Sequence, residues 1–184
     1  MIEGLREEAY VTALQKMMTG EKLAGVFGKI PLPILYGFDI TPIPLYGIHR
    51  ELIEESPHTD YCDLLRSTEG YALTDRCPFI HSTSLLITDD LCEKRPDFLK
   101  AIPLEKEFYL YSIKGKDSIG VRNEIEKLVV FLEKFTQQDF NQSLSKKSFQ
   151  DILEIDKLLF QLKDSSLSGK EFSKICYETQ FLFD

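Results

Sequence analysis

The chain lacks several features that would assign it to a protein class at once. It has four cysteines in 184 residues, and their scattered positions do not form the framework of a disulfide-rich secreted domain. No apolar run is long enough to cross a membrane. A Gly-rich phosphate loop, a Gly-x-Ser-x-Gly motif and a kinase motif set are also missing, so the sequence does not indicate those enzyme classes.

Clustered basic residues are missing as well. The chain has 22 Lys and Arg against 30 Asp and Glu, a formal net charge of -8. Non-specific binding to nucleic acid needs a surface of Lys and Arg that neutralises phosphates, so we expect no nucleic-acid partner. The pairs Lys114 with Lys116 and Lys146 with Lys147 are expected to be solvated surface positions.

The sequence does contain enough apolar residues for one hydrophobic core. Hydrophobic residues make up 43% of the 184 residues, which suits a single domain over residues 1–184 without disulfide bonds. No signal-peptide pattern opens the sequence and no cysteine spacing implies pairing. We therefore expect a reducing, cytoplasmic location and no membrane partner.

The first two thirds of the chain alternate between strand patterns and helix patterns. Pro42 and Pro44 fall within one strand pattern, which suits an edge strand or an irregular extended segment because proline cannot donate to a sheet ladder. The predicted helices cover residues 3–19, 61–71 with a break near Gly70, and 96–100; the predicted strands cover 23–27, 40–46, 85–87 and 107–113.

The last third is helical by pattern. Apolar residues recur at helical spacing over residues 118–136 and 147–163. A third helix is predicted to begin at Ser168, which can form a capping box with Glu171. Together these patterns predict the α/β class: a small parallel sheet flanked by helices, with a helical C-terminal extension over about residues 118–184.

Two cysteines stand on either side of one short predicted strand. Cys77 precedes residues 85–87, and Cys92 follows them. Thiolates brought to neighbouring loops can bind iron or zinc. Free cysteines also serve as small buried hydrophobic residues, and the spacing is not Cys-x-x-Cys, so both interpretations stay open.

Aspartates and histidines give weaker signals. Asp89 and Asp90 could bind Mg2+ or end the strand, and the second interpretation is favoured. His81, close to Cys77 in sequence, is expected to be a structural histidine.

Two further sets complete the candidates. His49 and His58 flank a glutamate-rich turn that lacks a fixed metal-ligand spacing. Cys176 lies beside Ile175 on a predicted apolar helix face, so we expect it in the core.

Several short motifs follow one another in an order that resembles a known family. Residues 35–45 read Leu-Tyr-x-x-x-x-x-Pro-x-x-Leu, residues 77–82 read Cys-Pro-Phe-Ile-His-Ser, and residues 92–95 read Cys-Glu-Lys-Arg. A Phe-Tyr-Leu strand and a long helix with Leu-Glu-Lys-Phe at 132–135 come next. Between residues 22 and 180 this order resembles the D-component family, the iron–sulfur subunits of 2-hydroxyacyl-CoA dehydratases and of benzoyl-CoA reductase.

The resemblance implies a Rossmann-like α/β domain, similar to the N-terminal half of the family's chains, and a [4Fe-4S] cluster bound by thiolates. Cys77 matches the family's first cysteine and Cys92 the second, so these two are the expected cofactor-binding, iron-ligating residues. The resemblance also implies an acyl-CoA ligand, an ATP-dependent activator that supplies electrons, and a second D-component subunit or homodimer mate. It assigns no catalytic residue.

The chain departs from the family pattern at several points. Leu32 follows Pro31 where the family has a Pro-Glu pair, and Glu93 follows Cys92 where the family usually has Asp. A helix between the two matched cysteines is expected to be missing. So is the second domain, which supplies the family's third cysteine ligand; Cys62 and Cys176 are the remaining cysteines.

Two functions of different classes follow. One is a shortened 2-hydroxyacyl-CoA dehydratase-like subunit that binds a [4Fe-4S] cluster through Cys77 and Cys92, as part of a lyase or acyl-CoA reductase complex. The other is a degenerate, non-catalytic interaction or scaffold domain of the same family, without a cofactor.

Overall fold

Four parallel strands form one sheet in the computed structural model, which describes residues 4–74, 76–102 and 105–182, apart from the side chain of Ala101. The strand order is β2-β1-β3-β4. This arrangement confirms the predicted α/β class with a parallel sheet. The strands are β1 (Lys22–Phe27), β2 (Ile40–Pro44), β3 (Leu85–Asp89) and β4 (Glu107–Tyr111).

Helices flank the sheet and then follow it. Those that lie before β4 are α1 (Leu5–Met18), α2 (Leu32–Tyr36), α3 (Arg50–Ile53), α4 (Asp63–Leu73), α5 (Pro78–Ser82) and α6 (Lys94–Ala101). Those that follow β4 are α7 (Ser118–Thr136), α8 (Gln142–Lys163) and α9 (Gly169–Glu178), and a single 3-10 turn covers Thr179–Phe181. No described helix is both long and apolar enough to span a membrane.

Each face of the sheet has its own apolar core, because successive side chains of a strand point to opposite faces. Leu23 and Phe27 of β1 belong to a core that includes Ala9 and Ala13 of α1, here called the α1-side core. Ala24 and Val26 of β1 belong to the α7-side core, which includes Leu128 and Leu132 of α7. The middle strands are therefore covered on both faces, as expected for a parallel sheet.

Of the two alternatives for the proline-containing segment, the structure shows the edge strand. β2 pairs with β1 alone, with Pro42 opposite Ala24 and Pro44 opposite Val26. No described strand pairs with the outer edge of β2, so the N–H groups that these prolines lack are not required for hydrogen bonds there.

The predicted helix break near Gly70 is wrong. The helix continues through Gly70 to Leu73. The glycine instead allows α3 to approach closely, because a Cβ there would lie 2.0 Å from the carbonyl oxygen of Leu52. Gly70 thus lies where α3 and α4 pack closely against each other.

Two other helix boundaries differ from the sequence expectation. Residues 78–82, expected to be a loop, form α5, with Pro78 in its first turn; a short helix therefore does lie between Cys77 and Cys92. Helix α8 begins at Gln142 rather than 147, because the Asn141 side chain accepts hydrogen bonds from the first free amides. The capping box of Ser168 and Glu171 is confirmed.

Replacing Gly70 by alanine should lower the free energy of unfolding by about 2 kcal/mol, because the new methyl group forces two helices apart. Urea denaturation measures this loss. Gly169→Ala is the matched control, since a Cβ at that helical glycine would meet no atom within 4 Å. Equal stability of the two variants would contradict the proposed packing role.

Candidate functional site

The carboxyl ends of the four described strands meet at one edge of the sheet because the strands are parallel. The chain passes from β1 to β2 on one side of β1 and later enters β3 on its other side. Such a reversal leaves a crevice outside the carboxyl ends of the strands, where α/β proteins commonly bind ligands. The turn at Gly28 and Lys29, which follows β1, lies at this point.

A buried carboxylate organises this edge. Asp89, the last residue of β3, is 0% exposed. Its two carboxylate oxygens accept three hydrogen bonds. The backbone amide of Lys29 lies 2.5 Å from Oδ2, the amide of Leu91 lies 2.9 Å from Oδ1, and Nη1 of Arg95 lies 2.7 Å from Oδ1. These bonds tie the turn after β1 to the end of β3 and to the start of α6.

Gly28 makes this close approach possible. Its φ is +121°, a conformation that residues with a side chain rarely adopt. A Cβ here would also lie 2.3 Å from Oδ2 of Asp89 and 2.4 Å from Nη1 of Arg95. The sequence therefore needs glycine directly after β1.

Asp90 makes the corresponding connection to the next strand. It accepts hydrogen bonds from the Ser112 hydroxyl (2.5 Å) and from the amides of Ile113 and Lys114 (2.7 Å each). Desolvation acts to raise the pKa of Asp90, but these hydrogen bonds outweigh it and hold the pKa below its ordinary value. Both aspartates thus have their oxygens engaged by local donors, in keeping with the favoured strand-ending role.

A cleft of about 620 Å³ opens at this edge on the α7 side. Val26 and Tyr111, which belong to the α7-side core, form part of its floor. Most of its lining is apolar. The outer wall comes from α8, through Ile152, Ile155 and Leu159, and from the α9 region, through Cys176, Thr179, Gln180 and Leu182. The charged residues of the lining are Lys29, which is exposed, and Asp156.

The α9 wall is anchored to the body of the fold. Tyr177 donates a hydrogen bond from its hydroxyl to the carbonyl of Tyr46 over 3.3 Å. Phe181 is buried and stacks on Phe79 with ring centroids 5.6 Å apart. The guanidinium of Arg6 lies 5.8 Å from the Phe181 ring centroid. These contacts hold one wall of the cleft in place.

Cys77 and Cys92 both contact the α1-side core, away from the cleft lining. Cys77 occupies the N-cap position of α5 and is only 5% exposed. Burial raises the pKa of its thiol, and the smaller opposing effects of nearby backbone amides and of Arg6 do not restore it. Cys92 is half-buried in the turn after β3. The strand that separates them in the sequence is confirmed.

Comparison with known families matches the sequence to the model of the 2-hydroxyglutaryl-CoA dehydratase D-component family over residues 28–183. The chain belongs to this family. The match confirms the resemblance drawn from the motifs between residues 35 and 135.

One curated relative is the "Putative dehydratase subunit YjiM" of Escherichia coli (strain K12). It is 21% identical over an alignment of 194 residues, gaps included, that takes in 97% of this chain and 51% of the E. coli protein. The D-component chain described here thus spans about half the length of that relative.

The [4Fe-4S] cluster implied by the D-component resemblance can be compared with the side chains present. Such a cluster takes four ligands, and a cysteine binds it as the thiolate. Within the described ranges, no group of three or more His, Cys, Asp or Glu side chains is placed to hold a metal ion. Cys77 and Cys92 supply two thiols, one with a raised pKa. By itself, this part of the D-component chain does not complete a cluster's ligand set.

The other two cysteines of the D-component chain have different surroundings. Cys62 is exposed and precedes α4. Cys176, expected in the core, is half-buried and lines the cleft. The helix pattern indicated an apolar face at Ile175 and Cys176. It did not indicate that this face borders the cleft at the sheet edge.

The histidines also find distinct partners. Nδ1 of His58 lies 2.7 Å from Glu69, a buried carboxylate that also accepts a 2.5 Å bond from Ser56. His49 contributes its backbone to a hydrogen-bond pair with Ser67. His81 is exposed on α5. The buried Glu69 was missed by sequence reasoning, which considered only the glutamates between the two histidines.

Arg95→Met should lower the free energy of unfolding by about 3 kcal/mol, because the variant leaves the buried Asp89 carboxylate without its cation. The adjacent Lys94→Met is the control: it removes an ion pair with Asp60 whose side chains are 49% and 59% exposed, so we expect no measurable change. Urea denaturation compares the two variants. Similar losses of stability in the two variants would contradict the claim that the buried Asp89 depends on Arg95.

Proposed function

We propose that this chain is an acyl-CoA-binding subunit of the 2-hydroxyacyl-CoA dehydratase type, and that the cleft at the carboxyl edge holds the acyl portion of the ligand. The observation that carries the proposal is the apolar cleft of about 620 Å³ at the point where the strand order reverses. Its volume falls in the range of small-molecule sites. Membership of the D-component family supports acyl-CoA as the ligand class.

The lining favours an uncharged, apolar group. Val26, Pro42 and Pro44 form the sheet side of the cleft, and Ile155 and Leu159 face them from α8. Burying a short acyl chain here removes apolar surface from water on both partners. A charged substrate tail would instead need partners that this floor lacks.

The rim offers groups suited to the polar part of a coenzyme A thioester. Lys29 is exposed at the turn after β1, and its ammonium group carries the charge that phosphate groups attract. Gly28 and Lys29 both line the cleft, so this turn forms part of its rim. Asp89 holds the turn in position through the Lys29 amide. In the proposal, the acyl chain enters the cleft and the coenzyme lies across this rim.

The [4Fe-4S] cluster belongs to the same proposal in a limited form. Cys77 and Cys92 are its candidate ligands, and donors from a second D-component subunit or a homodimer mate would have to complete the set. An ATP-dependent activator is the partner class that the resemblance implies for electron supply. The complex would be a lyase or an acyl-CoA reductase.

A non-catalytic interaction domain of the same family is the second candidate, and one observation favours it. The residues proposed as cluster ligands contact the α1-side core, whereas Val26 and Tyr111 of the cleft floor belong to the α7-side core. The candidate thiols and the cleft floor therefore pack on different faces of the sheet. A chain in this state could retain ligand binding and serve as a scaffold without electron transfer.

Butyryl-CoA should bind the wild-type chain, and Leu159→Arg should weaken binding at least about tenfold because the guanidinium fills the apolar cleft. Isothermal titration calorimetry measures the affinity, with free coenzyme A as a competitor. Leu158→Arg is the matched control, since this neighbouring side chain is exposed and does not line the cleft. Absence of binding, or equal weakening in both variants, would contradict the cleft assignment.

The cluster proposal is tested separately by iron and acid-labile sulfide analysis of protein purified without oxygen. A cluster at Cys77 and Cys92 predicts iron, sulfide and a visible absorption band that disappear in the Cys77→Ser/Cys92→Ser double variant. The Cys62→Ser variant is the control and should keep the band. Colourless wild-type protein, even after reconstitution, would reject the cluster and favour the scaffold function.

A further inference from the structure

Helix α8 is the most peripheral long element of the described structure. It covers Gln142–Lys163, which is about 33 Å of helix, and none of its residues is buried. One side, with Ile152, Ile155 and Leu159, forms the wall of the cleft. Another side carries large apolar residues that face solvent.

The solvent-facing residues form a regular line, here called the outer stripe. Phe149, Leu153 and Phe160 are 52%, 46% and 67% exposed. Spacings of three and four residues place side chains on one face of a helix, and this spacing allows two helices to pack side by side. The whole stripe consists of Lys146, Phe149, Leu153, Lys157, Phe160 and Asp164, separated by 3, 4, 4, 3 and 4 positions.

Charges of opposite sign stand at the two ends of the outer stripe. Lys146 lies near the N-terminus of α8 and Asp164 caps its C-terminus, about 27 Å away along the axis. Both are exposed, and neither forms an ion pair with another described residue. The midpoint between them falls at Ile155.

We propose that a second copy of this chain packs on the outer stripe, with the two α8 helices antiparallel and a two-fold axis near Ile155. This arrangement places Lys146 opposite Asp164 of the second copy, and the two-fold axis generates the same pair again at the other end. Phe149 then lies beside Phe160 of the second copy. Leu153 lies opposite Lys157, whose hydrocarbon stem covers it while the ammonium group stays in water.

The charge pattern is what selects a second copy and fixes its direction. A two-fold interface brings one surface against itself, so the surface has to be self-complementary. The outer stripe meets this condition in the antiparallel direction only. A parallel pair would set Lys146 against Lys146 and Asp164 against Asp164.

The interface would also fix the position of α8 as a wall of the cleft, because α8 contributes Leu159 to the cleft and Phe160 to the outer stripe. Dimer formation and acyl-CoA binding nevertheless use different faces of the helix. The interface is therefore independent of the proposed acyl-CoA site, and either can fail alone.

Sedimentation velocity over a range of concentrations provides the first test. The wild-type chain should shift from one to two copies as concentration rises, and Phe160→Ser should remain a single copy. Leu158→Ser is the control, because Leu158 is 55% exposed but lies outside the outer stripe. Circular dichroism confirms that the variants are folded. A wild-type chain that stays a single copy at every concentration, or a dimer that Phe160→Ser leaves unchanged, overturns the proposal.

Charge exchange tests the antiparallel direction. Lys146→Asp should abolish self-association, since it sets two carboxylates against each other at both ends, and Asp164→Lys should do the same with two ammonium groups. An equimolar mixture of these two variants should form a mixed dimer, in which each end again has opposite charges. Lys147→Asp, the same charge change beside the stripe, should leave association intact. No mixed dimer, or equal loss with Lys147→Asp, overturns the antiparallel pairing.

Discussion

The buried carboxylate of Asp89 is the constraint on which the candidate site depends. A charge with no solvent exposure is costly unless donors surround it, and here two backbone amides and the Arg95 guanidinium do so. The amide of Lys29 is one of these donors, so a shift of the turn after β1 would remove a hydrogen bond from the buried carboxylate. Gly28 is the residue that lets the chain pass at this distance. Asp90 holds the segment after β4 through Ser112, Ile113 and Lys114, so each of the two aspartates fixes a turn at the edge where the cleft opens.

Local signals in the sequence predict much of this fold. The helix over residues 118–136 has the predicted bounds, and the Ser168 capping box forms as the Ser-x-x-Glu spacing indicates. Pro42 and Pro44 suit the edge strand because their missing N–H groups restrict them to such a position. In each case the physical cause lies within a few residues of the signal.

Features that depend on distant parts of the chain could not be predicted in this way. Gly70 reads as a helix breaker until Leu52 is known to pack against it. Cys176 lies on an apolar helix face, and only the position of α9 over the sheet edge turns that face into a cleft wall. The pair of Asp89 and Arg95 has no standard sequence spacing. For the same reason, the sequence could place Cys77 and Cys92 near one strand but could not decide between a metal-binding thiol and a buried one at Cys77.

The proposed ligand site of this D-component chain lies on the carboxyl edge and not beside Cys77. Hydrogen–deuterium exchange with and without butyryl-CoA tests it directly. With the ligand in the cleft, we expect slower exchange of backbone amides in residues 28–36 and 176–182, with α5 (Pro78–Ser82) unchanged. Slower exchange confined to α5 and to the turn around Cys92 would contradict it, as would exchange that the ligand leaves unchanged throughout.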